Sequence, residues 1–242
     1  MAYAALTAAN AKRWAAMTIL PGRKAGLDAN ARRILSHKDV YQAVERKLVS
    51  LGHYVPWWAI GVIHLREADL NMNAQLAQGD PLSRRSVHVP AGRGPFLGPD
   101  AFLRGCLDAL IDCAPHTALW HDWSSGGTAT AFELYNGLGY ANMGRPSPYN
   151  WSGSDQYRSG KYVSDGVYSS TAVDVQPGCM AVLRSMMALD PSIHFPGATT
   201  SIPTAPPKSP SVTHVDPPAP KPTLSWRSRA AAALDAFIKK VI

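Results

Sequence analysis

The sequence predicts a mainly α-helical domain of the α+β class with one small β-hairpin element, followed by a proline-rich linker and an amphipathic C-terminal helix. Three observations favour this architecture. Apolar residues recur at helical spacing in six separate stretches between residues 7 and 189, which is typical of packed helices. Turn-forming residues are concentrated in 71–98. Nine of the twenty prolines fall in 196–223, where they favour an extended linker.

Three parts follow from this pattern. Residues 1–195 are enough to enclose one core, and we expect them to form a single domain. Residues 196–223 form the linker, and 224–242 form the terminal helix. Basic residues of that helix lie mostly away from its apolar face, which makes it a basic amphipathic helix; the apolar face holds Trp226, Ala230, Ala233, Leu234, Phe237, Ile238 and Val241.

The positive charge of the chain is uneven. Of the formal net charge of +7, residues 196–242 carry +4 and the first 195 residues carry +3. A basic helix at the end of a linker suits an anionic outer-membrane or inner-membrane surface, and docking on the core or pairing with a second copy are the alternatives. No recognition-helix, RNP or zinc-finger pattern is present, so we expect no nucleic-acid partner.

The cysteine pattern and the N-terminal segment exclude several classes of protein. Cys106 and Cys113 would lie two helical turns apart, and Cys179 has no near neighbour, so neither a disulfide framework nor a zinc site is expected. We expect no metal or other cofactor. No apolar stretch reaches the roughly 18 residues of a membrane span. Lys12 and Arg13 sit in the middle of the N-terminal segment, which is the wrong order for a signal peptide and predicts a chain kept in the cytosol.

Helical spacing locates the individual elements. Asp39 with Gln42 predicts a capping box, and Gly52 predicts a helix end. Residues 71–98 are expected to hold the hairpin, and 138–176, rich in Gly, Ser, Tyr and Asn, an ordered surface loop that lines a polar ligand. Helices are predicted at 7–19, twice within 27–51, and at 56–67, 99–114, 128–137 and 177–189.

Glu67 is the residue that points most directly to a chemistry. It ends the helix predicted at 56–67, whose apolar residues cover every side and place it in the middle of the domain. Burial and the negative end of the helix dipole both disfavour the charged form of a carboxyl there. A carboxyl that keeps its proton can act as a general acid, which glycosidic cleavage requires. The alternative is a solvated glutamate paired with Arg66. His64, one turn earlier, either tunes Glu67 or is a satisfied core histidine.

Several motifs resemble those of a known superfamily. The order of "HLREADLN", a turn containing Gly and Asp, and a helix with "FELYNGLGY" resembles the lysozyme-like superfamily, in particular goose-type lysozymes and lytic transglycosylases. The segments "GDPL", "VHVPAGR", "YNGLGY", "PSPYNWS" and "GKYVSDG" are similar to those of phage and prophage endolysins. The resemblance extends from about Tyr41 to Met187 and is specific in its later half.

Carried over position by position, the resemblance implies that Glu67 is the general acid. Asp80 falls where goose-type enzymes place an auxiliary acid, and would activate a water for inversion or steady positive charge on the sugar. Two carboxyls about 6.5–9.5 Å apart would fit inversion, and about 5 Å retention. The alternative for Asp80 is an Asp-Pro turn that binds its own backbone.

The resemblance also implies residues that bind the glycan. Tyr135 and Asn136 would do so through ring packing and through hydrogen bonds to an N-acetyl group. Tyr149 and Trp151 in the polar loop would stack on sugar rings, whose C–H faces are apolar. His88 either lines the cleft or braces the hairpin. For each aromatic residue the alternative is a structural role in the core or the loop.

The implied activity is that of a peptidoglycan-degrading glycosidase, a muramidase that cleaves the β-1,4 bond between N-acetylmuramic acid and N-acetylglucosamine. As an endolysin it would be held in the host bacterial cytoplasm and would act on peptidoglycan strands in the periplasm, or it would be carried in the virion. A lytic transglycosylase that forms 1,6-anhydro products, and a chitinase, are the enzymatic alternatives. A non-catalytic wall-binding or virion structural protein with the same fold is the alternative from another class.

Overall fold

The computed structural model describes residues 3–164 and 166–196 and is mainly helical, with one small antiparallel sheet. The predicted helix at 224–242 and all but the first residue of the linker predicted at 196–223 lie outside the described residues. The elements in chain order are α1 Ala4–Ala16, α2 Pro21–Leu35, α3 Lys38–Ser50, α4 Trp57–Ala68, α5 Ala101–Leu107 with a π-helical continuation Asp108–Cys113, α6 Pro115–Ala118, α7 Ser125–Asn136, α8 Gly139–Asn142, α9 Pro148–Trp151, β1 Lys161–Ser164, β2 Val167–Ser169 and α10 Cys179–Leu189.

Helix α4 is the centre of the fold, as its sequence predicts. Its first nine residues, Trp57 to Leu65, are all buried, and it packs against α2, α3 and α10. Pro56 precedes it, where a missing N–H costs nothing because the first N–H groups of a helix have no partner within it. The helix ends at two residues in the left-handed conformation, Asp69 and Leu70. This turn ends the helix two residues after Glu67, and the segment that follows packs back on the core through Leu70 and Leu76.

Two further helix pairs complete the core. Helix α10 packs on α2, and α7 packs on α1. The second pair approaches closely because Gly126 has no side chain: a Cβ there would collide with the carbonyl oxygen of Thr7 and with Ala11. Ser124 caps the start of α7 by accepting a hydrogen bond from the Gly127 N–H at 3.2 Å. The start of α7 is therefore held against α1.

The predicted hairpin is in the wrong place. Residues 71–98 contain one isolated bridge, between Ala74 and Pro81, and otherwise fold as turns and irregular loop. Prolines in this segment cannot donate to a ladder, and glycines there take positive φ angles that break a strand. The sheet lies within the stretch predicted as a polar loop, where β1 and β2 pair Tyr162 with Tyr168. Their rings meet edge to face with centroids 5.6 Å apart, a pairing that stabilises a short hairpin.

The predicted helix ends are partly right. Gly52 follows α3 with φ 81° and terminates it, as expected. The capping box is wrong, because α3 begins at Lys38, before Asp39, and its N-cap residue His37 makes no side-chain cap. Among the described residues, no helix is both long enough and apolar enough to cross a bilayer.

Gly61 provides a test of the central packing. A Cβ added at Gly61 would lie 2.5 Å from Cγ2 of Ile34 and 3.1 Å from Cε2 of Tyr41. We expect Gly61→Ala to lower the free energy of unfolding by about 1–3 kcal/mol, because the two neighbours must move. Urea unfolding followed by circular dichroism measures the change.

The matched control is Gly26→Ala on the exposed side of α2, where an added Cβ would meet nothing within 4 Å. This change should raise the free energy of unfolding by up to about 1 kcal/mol through helix propensity. Equal effects of the two substitutions would contradict the close packing of α4 on α2 and α3.

Candidate active site

Glu67 lies at the end of a rigid, buried helix and is itself only partly buried. The hydroxyl of Tyr149, at the start of α9, donates a hydrogen bond of 2.9 Å to Oε1 of Glu67. The carboxyl is therefore held from one side by a neutral donor. This position differs from a solvated glutamate paired with its neighbour, because Arg66 has a different partner.

The adjacent Arg66 positions Tyr149. Its guanidinium lies 4.8 Å from the centre of the Tyr149 ring and donates to Asp174 Oδ2 at 3.1 Å and to the Pro177 carbonyl at 3.2 Å. Both side chains of the Arg66–Asp174 pair are buried. Because a buried charge pair tolerates little displacement, it fixes the ring whose hydroxyl bonds Glu67.

Cys179 lies beside this cluster without being a nucleophile. Burial raises the pKa of its thiol, and the nearby charge of Glu67 acts in the same direction, although Arg66 opposes both. A thiol that stays protonated does not attack a substrate. The cysteine is therefore a packing residue at the start of α10.

The loop after α4 returns to the same place. Gly79 faces the backbone carbonyl of Glu67 so closely that an added Cβ would lie 3.0 Å from that oxygen, and its φ of 75° favours glycine. The hydroxyl of Tyr135, near the end of α7, donates to the Leu76 carbonyl at 3.2 Å. The loop at 70–82 therefore contacts both the end of α4 and the end of α7, while the start of α9 contacts Glu67 itself.

Asp80 is built into the loop rather than presented to a ligand. It is 3% exposed, and its Oδ2 accepts hydrogen bonds of 2.9 Å from the backbone N–H groups of Val87 and His88. Its Oδ1 lies 2.9 Å from Nδ1 of His88. Both oxygens are used, so the predicted direct activation of water by Asp80 does not fit this geometry. The alternative, an aspartate that binds the backbone of its own loop, fits the geometry.

The predicted glycan-binding residues differ in their access. Trp151 is fully buried and Tyr149 is 3% exposed, so in this structure neither ring offers a face to a sugar, and the stacking predicted for them does not fit this burial. Tyr149 acts on Glu67 instead. Tyr135 and Asn136 are each 1% exposed, and Tyr135 serves to hold the loop. The amide nitrogen of Asn136 has no hydrogen-bond partner among the described residues. His88, with a side chain 41% exposed, is accessible.

His64 is a satisfied core histidine, the second of the two possibilities for it. It is fully buried, with Nδ1 2.9 Å from the Tyr41 hydroxyl and Nε2 3.1 Å from the Asn71 carbonyl. Burial lowers the pKa of His64 to about 4, so the ring is neutral at neutral pH. It fixes the turn that follows α4.

Glu133 is the acidic residue that the sequence analysis missed. It is 1% exposed within α7 and accepts a hydrogen bond of 3.3 Å from the amide of Asn150. Burial raises the pKa of Glu133 to about 7, against the opposing effects of Asn10, Arg13 and Asn150. A charged residue inside "ATAFELYNG", with apolar residues on both sides, was the available signal. Asn150 directly follows Tyr149, so Glu133 supports the segment that holds Glu67.

No group of three or more metal-ligating side chains comes together in the part of the chain that the structure describes. An open pocket of about 520 Å³ lies away from Glu67, between α1 and the segment around α8, and is lined in part by Arg13, Leu138 and Arg145. Comparison with models of protein families, with curated proteins and with solved structures found no match.

The buried position of Glu133 predicts a pH dependence of stability. Its pKa rises from 4.5 to about 7 on folding, so the folded protein binds more protons than the unfolded chain between these values. The stability that Glu133 contributes is therefore complete below pH 4.5 and is lost as pH rises through 7. The lowered pKa of His64 acts in the opposite direction between about pH 4 and 6.5.

Glu133→Gln isolates the effect, because it keeps the shape of the side chain and removes the titration. Between pH 5 and pH 8 the wild type should lose about 2–3 kcal/mol of unfolding free energy relative to this variant. Urea unfolding at both pH values measures the difference. Asp39→Asn, on the exposed surface of α3, is the control of equal charge change. A constant difference between wild type and Glu133→Gln would show that Glu133 is already charged in the folded protein.

Proposed function

We propose that the protein is a peptidoglycan-degrading glycosidase, a muramidase of the lysozyme-like type in which Glu67 is the general acid. One observation carries the proposal. Glu67 lies in the last turn of helix α4, whose first nine residues are buried, is itself only partly buried, and receives a hydrogen bond from the Tyr149 hydroxyl. The Tyr149 hydroxyl fixes one oxygen of this carboxyl, and the other oxygen, Oε2, is buried by the surrounding residues.

The chemistry requires a proton donor at the leaving oxygen of a glycosidic bond. The proposal requires the Glu67 carboxyl to hold a proton when substrate binds, and the carbonyl end of α4 favours the uncharged form. The Tyr149 hydroxyl fixes Oε1 and so orients the carboxyl. Arg66, the preceding residue, pairs with Asp174 and so does not stabilise the charged form of Glu67 through an ion pair.

The meeting of distant segments supports the lysozyme-like assignment. The resemblance rests on "HLREADLN", "GDPL", "YNGLGY" and "PSPYNWS", which are spread over more than eighty residues. Contacts from Tyr149 to Glu67, from Gly79 to Glu67 and from Tyr135 to Leu76 bring these segments to one place. A constellation that is brought together from four segments is expected of an active site.

The substrate and location belong to the same proposal. The substrate is the β-1,4 bond between N-acetylmuramic acid and N-acetylglucosamine in peptidoglycan strands. An endolysin role places the protein in the bacterial cytoplasm before release and at the periplasmic wall afterwards. The basic segment 224–242 would then attach the enzyme to an anionic surface near its substrate.

The decisive variant is Glu67→Gln, which keeps size and polarity but removes the acid. We expect clearing of a peptidoglycan gel to fall by roughly a hundredfold to ten-thousandfold, the usual contribution of a general acid. The melting temperature should change little, because the Tyr149 hydroxyl can still donate to the amide oxygen. Asp39→Asn again serves as the control, and it should clear the gel as the wild type does. Clearing by Glu67→Gln at the wild-type rate would refute the assignment.

The products separate the enzymatic alternatives. We expect mass spectrometry of digested peptidoglycan to show reducing N-acetylmuramic acid ends, as hydrolysis requires. Products lighter by one water would identify 1,6-anhydro ends and a lytic transglycosylase. Absence of any cleavage, with binding to the wall retained, would support the non-catalytic wall-binding protein instead.

A further inference from the structure

We propose that His88, held in place by Asp80, is the base that takes a proton from the attacking water. The inference rests on the proposed function and deepens it, since it assigns the half of the reaction that Glu67 does not perform. The buried carboxylate of Asp80 and the partly exposed imidazole of His88 form a pair, with Oδ1 and Nδ1 2.9 Å apart.

The contacts determine which ring nitrogen carries the proton. An ionised carboxylate only accepts hydrogen bonds, so Nδ1 of His88 must be the donor to Oδ1 of Asp80. In the neutral ring Nε2 then has a free lone pair. Nε2 makes no hydrogen bond to any described residue, and the side chain is 41% exposed. The imidazole is therefore oriented on one side and available on the other.

Asp80 is fixed more firmly than a surface aspartate. The backbone N–H groups of Val87 and His88 both donate to its Oδ2, so the carboxylate holds the backbone of His88 as well as its ring. The loop is braced further by Gln75, whose amide donates to the carbonyls of Pro81 and Arg84 at 3.1 and 3.0 Å. Such a group acts through its neighbour, so Asp80 is a positioning residue in this proposal.

The pair lies near the proposed acid. A Cβ at Gly79 would be 3.0 Å from the Glu67 carbonyl oxygen, Asp80 is the next residue, and His88 bonds Asp80 directly. With 3.8 Å between consecutive Cα atoms, the imidazole is within roughly 15 Å of the Glu67 backbone. The loop that carries Asp80 therefore lies at the end of α4 that also carries Glu67.

The proposed reaction conserves every proton and bond. Glu67 gives its proton to the glycosidic oxygen as the bond to the anomeric carbon breaks. A water oxygen bonds to that carbon while one of its protons passes to Nε2 of His88. The proton on the imidazolium then returns through solvent to the Glu67 carboxylate, and one water is consumed for each bond cleaved. No other reactant is needed.

Replacement of His88 by asparagine tests the base. The amide nitrogen of asparagine can occupy the place of Nδ1 and donate to Asp80, so the loop keeps its bond while Nε2 is lost. Purified peptidoglycan is digested by the full chain in water enriched in ¹⁸O, and the products are analysed by mass spectrometry. We expect labelled reducing ends from the wild type and a rate of their formation about a hundredfold lower from His88→Asn. The exposed His121→Asn is the matched control and should behave as the wild type.

Asp80→Asn tests the positioning residue. Its amide nitrogen would donate to Nδ1, which moves the ring proton to Nε2 and removes the base, while its oxygen still accepts from the backbone. We expect the same loss of hydrolysis as with His88→Asn, and a double variant no slower than either single one. A residue that only braced the loop would lower the melting temperature without this match in rates. If His88→Asn is unfolded at the assay temperature, the rate of hydrolysis by Asp80→Asn decides the role of the pair.

The outcomes separate this inference from the proposed function. Hydrolysis by His88→Asn at the wild-type rate, or unlabelled 1,6-anhydro ends as the sole wild-type product, would overturn the role of His88 while Glu67-dependent cleavage stands. Absence of cleavage by the wild type would instead refute the proposed function itself.

Discussion

The burial of helix α4 from Trp57 to Leu65 is the constraint on which the rest of the structure depends. Nine successive residues from Trp57 to Leu65 are removed from solvent, and each large apolar side chain among them contributes about 2 kcal/mol through burial. A helix that is apolar all round has no free face, so α2, α3 and α10 must surround it. Its last turn therefore has a fixed position, and a carboxyl attached there can be placed within fractions of an ångström.

The polar groups around the end of α4 supply orientation rather than stability. The Arg66–Asp174 pair is buried, and the cost of removing both charges from water offsets most of their attraction. What the pair contributes is geometry, since the guanidinium lies over the ring of Tyr149 and the hydroxyl of that ring bonds Glu67. Lys161 lies 3.7 Å from the other oxygen of Asp174, which connects the hairpin β1–β2 to the same cluster.

The sequence was informative where a single physical effect dominates. The position and burial of α4 follow from uninterrupted apolar residues, and the end of α3 follows from Gly52, because both effects are local. The hairpin was misplaced because alternation at 86–89 is also what a looped segment shows, and proline and glycine decide against a strand there.

The sequence favours ligand stacking for Trp151 because an aromatic residue in a polar loop resembles a binding residue. Its burial depends on packing between α9 and α10, which is a long-range contact that local pattern does not encode.

Glu67 and Glu133 show why burial alone does not identify a catalytic acid. Glu133 is the more buried of the two, and its pKa of about 7 is in the range that general acids need, yet at 1% exposure no substrate can reach it. Glu67 is partly exposed, and its Oε1 accepts a hydrogen bond from the Tyr149 hydroxyl. Glu133 acts instead through Asn150, whose amide it shares with the Ala129 carbonyl, and Asn150 adjoins the tyrosine that holds Glu67. Glu67 is the less buried residue of the two, although its Oε2 is enclosed, and Glu133 supports through Asn150 the segment whose tyrosine bonds Glu67.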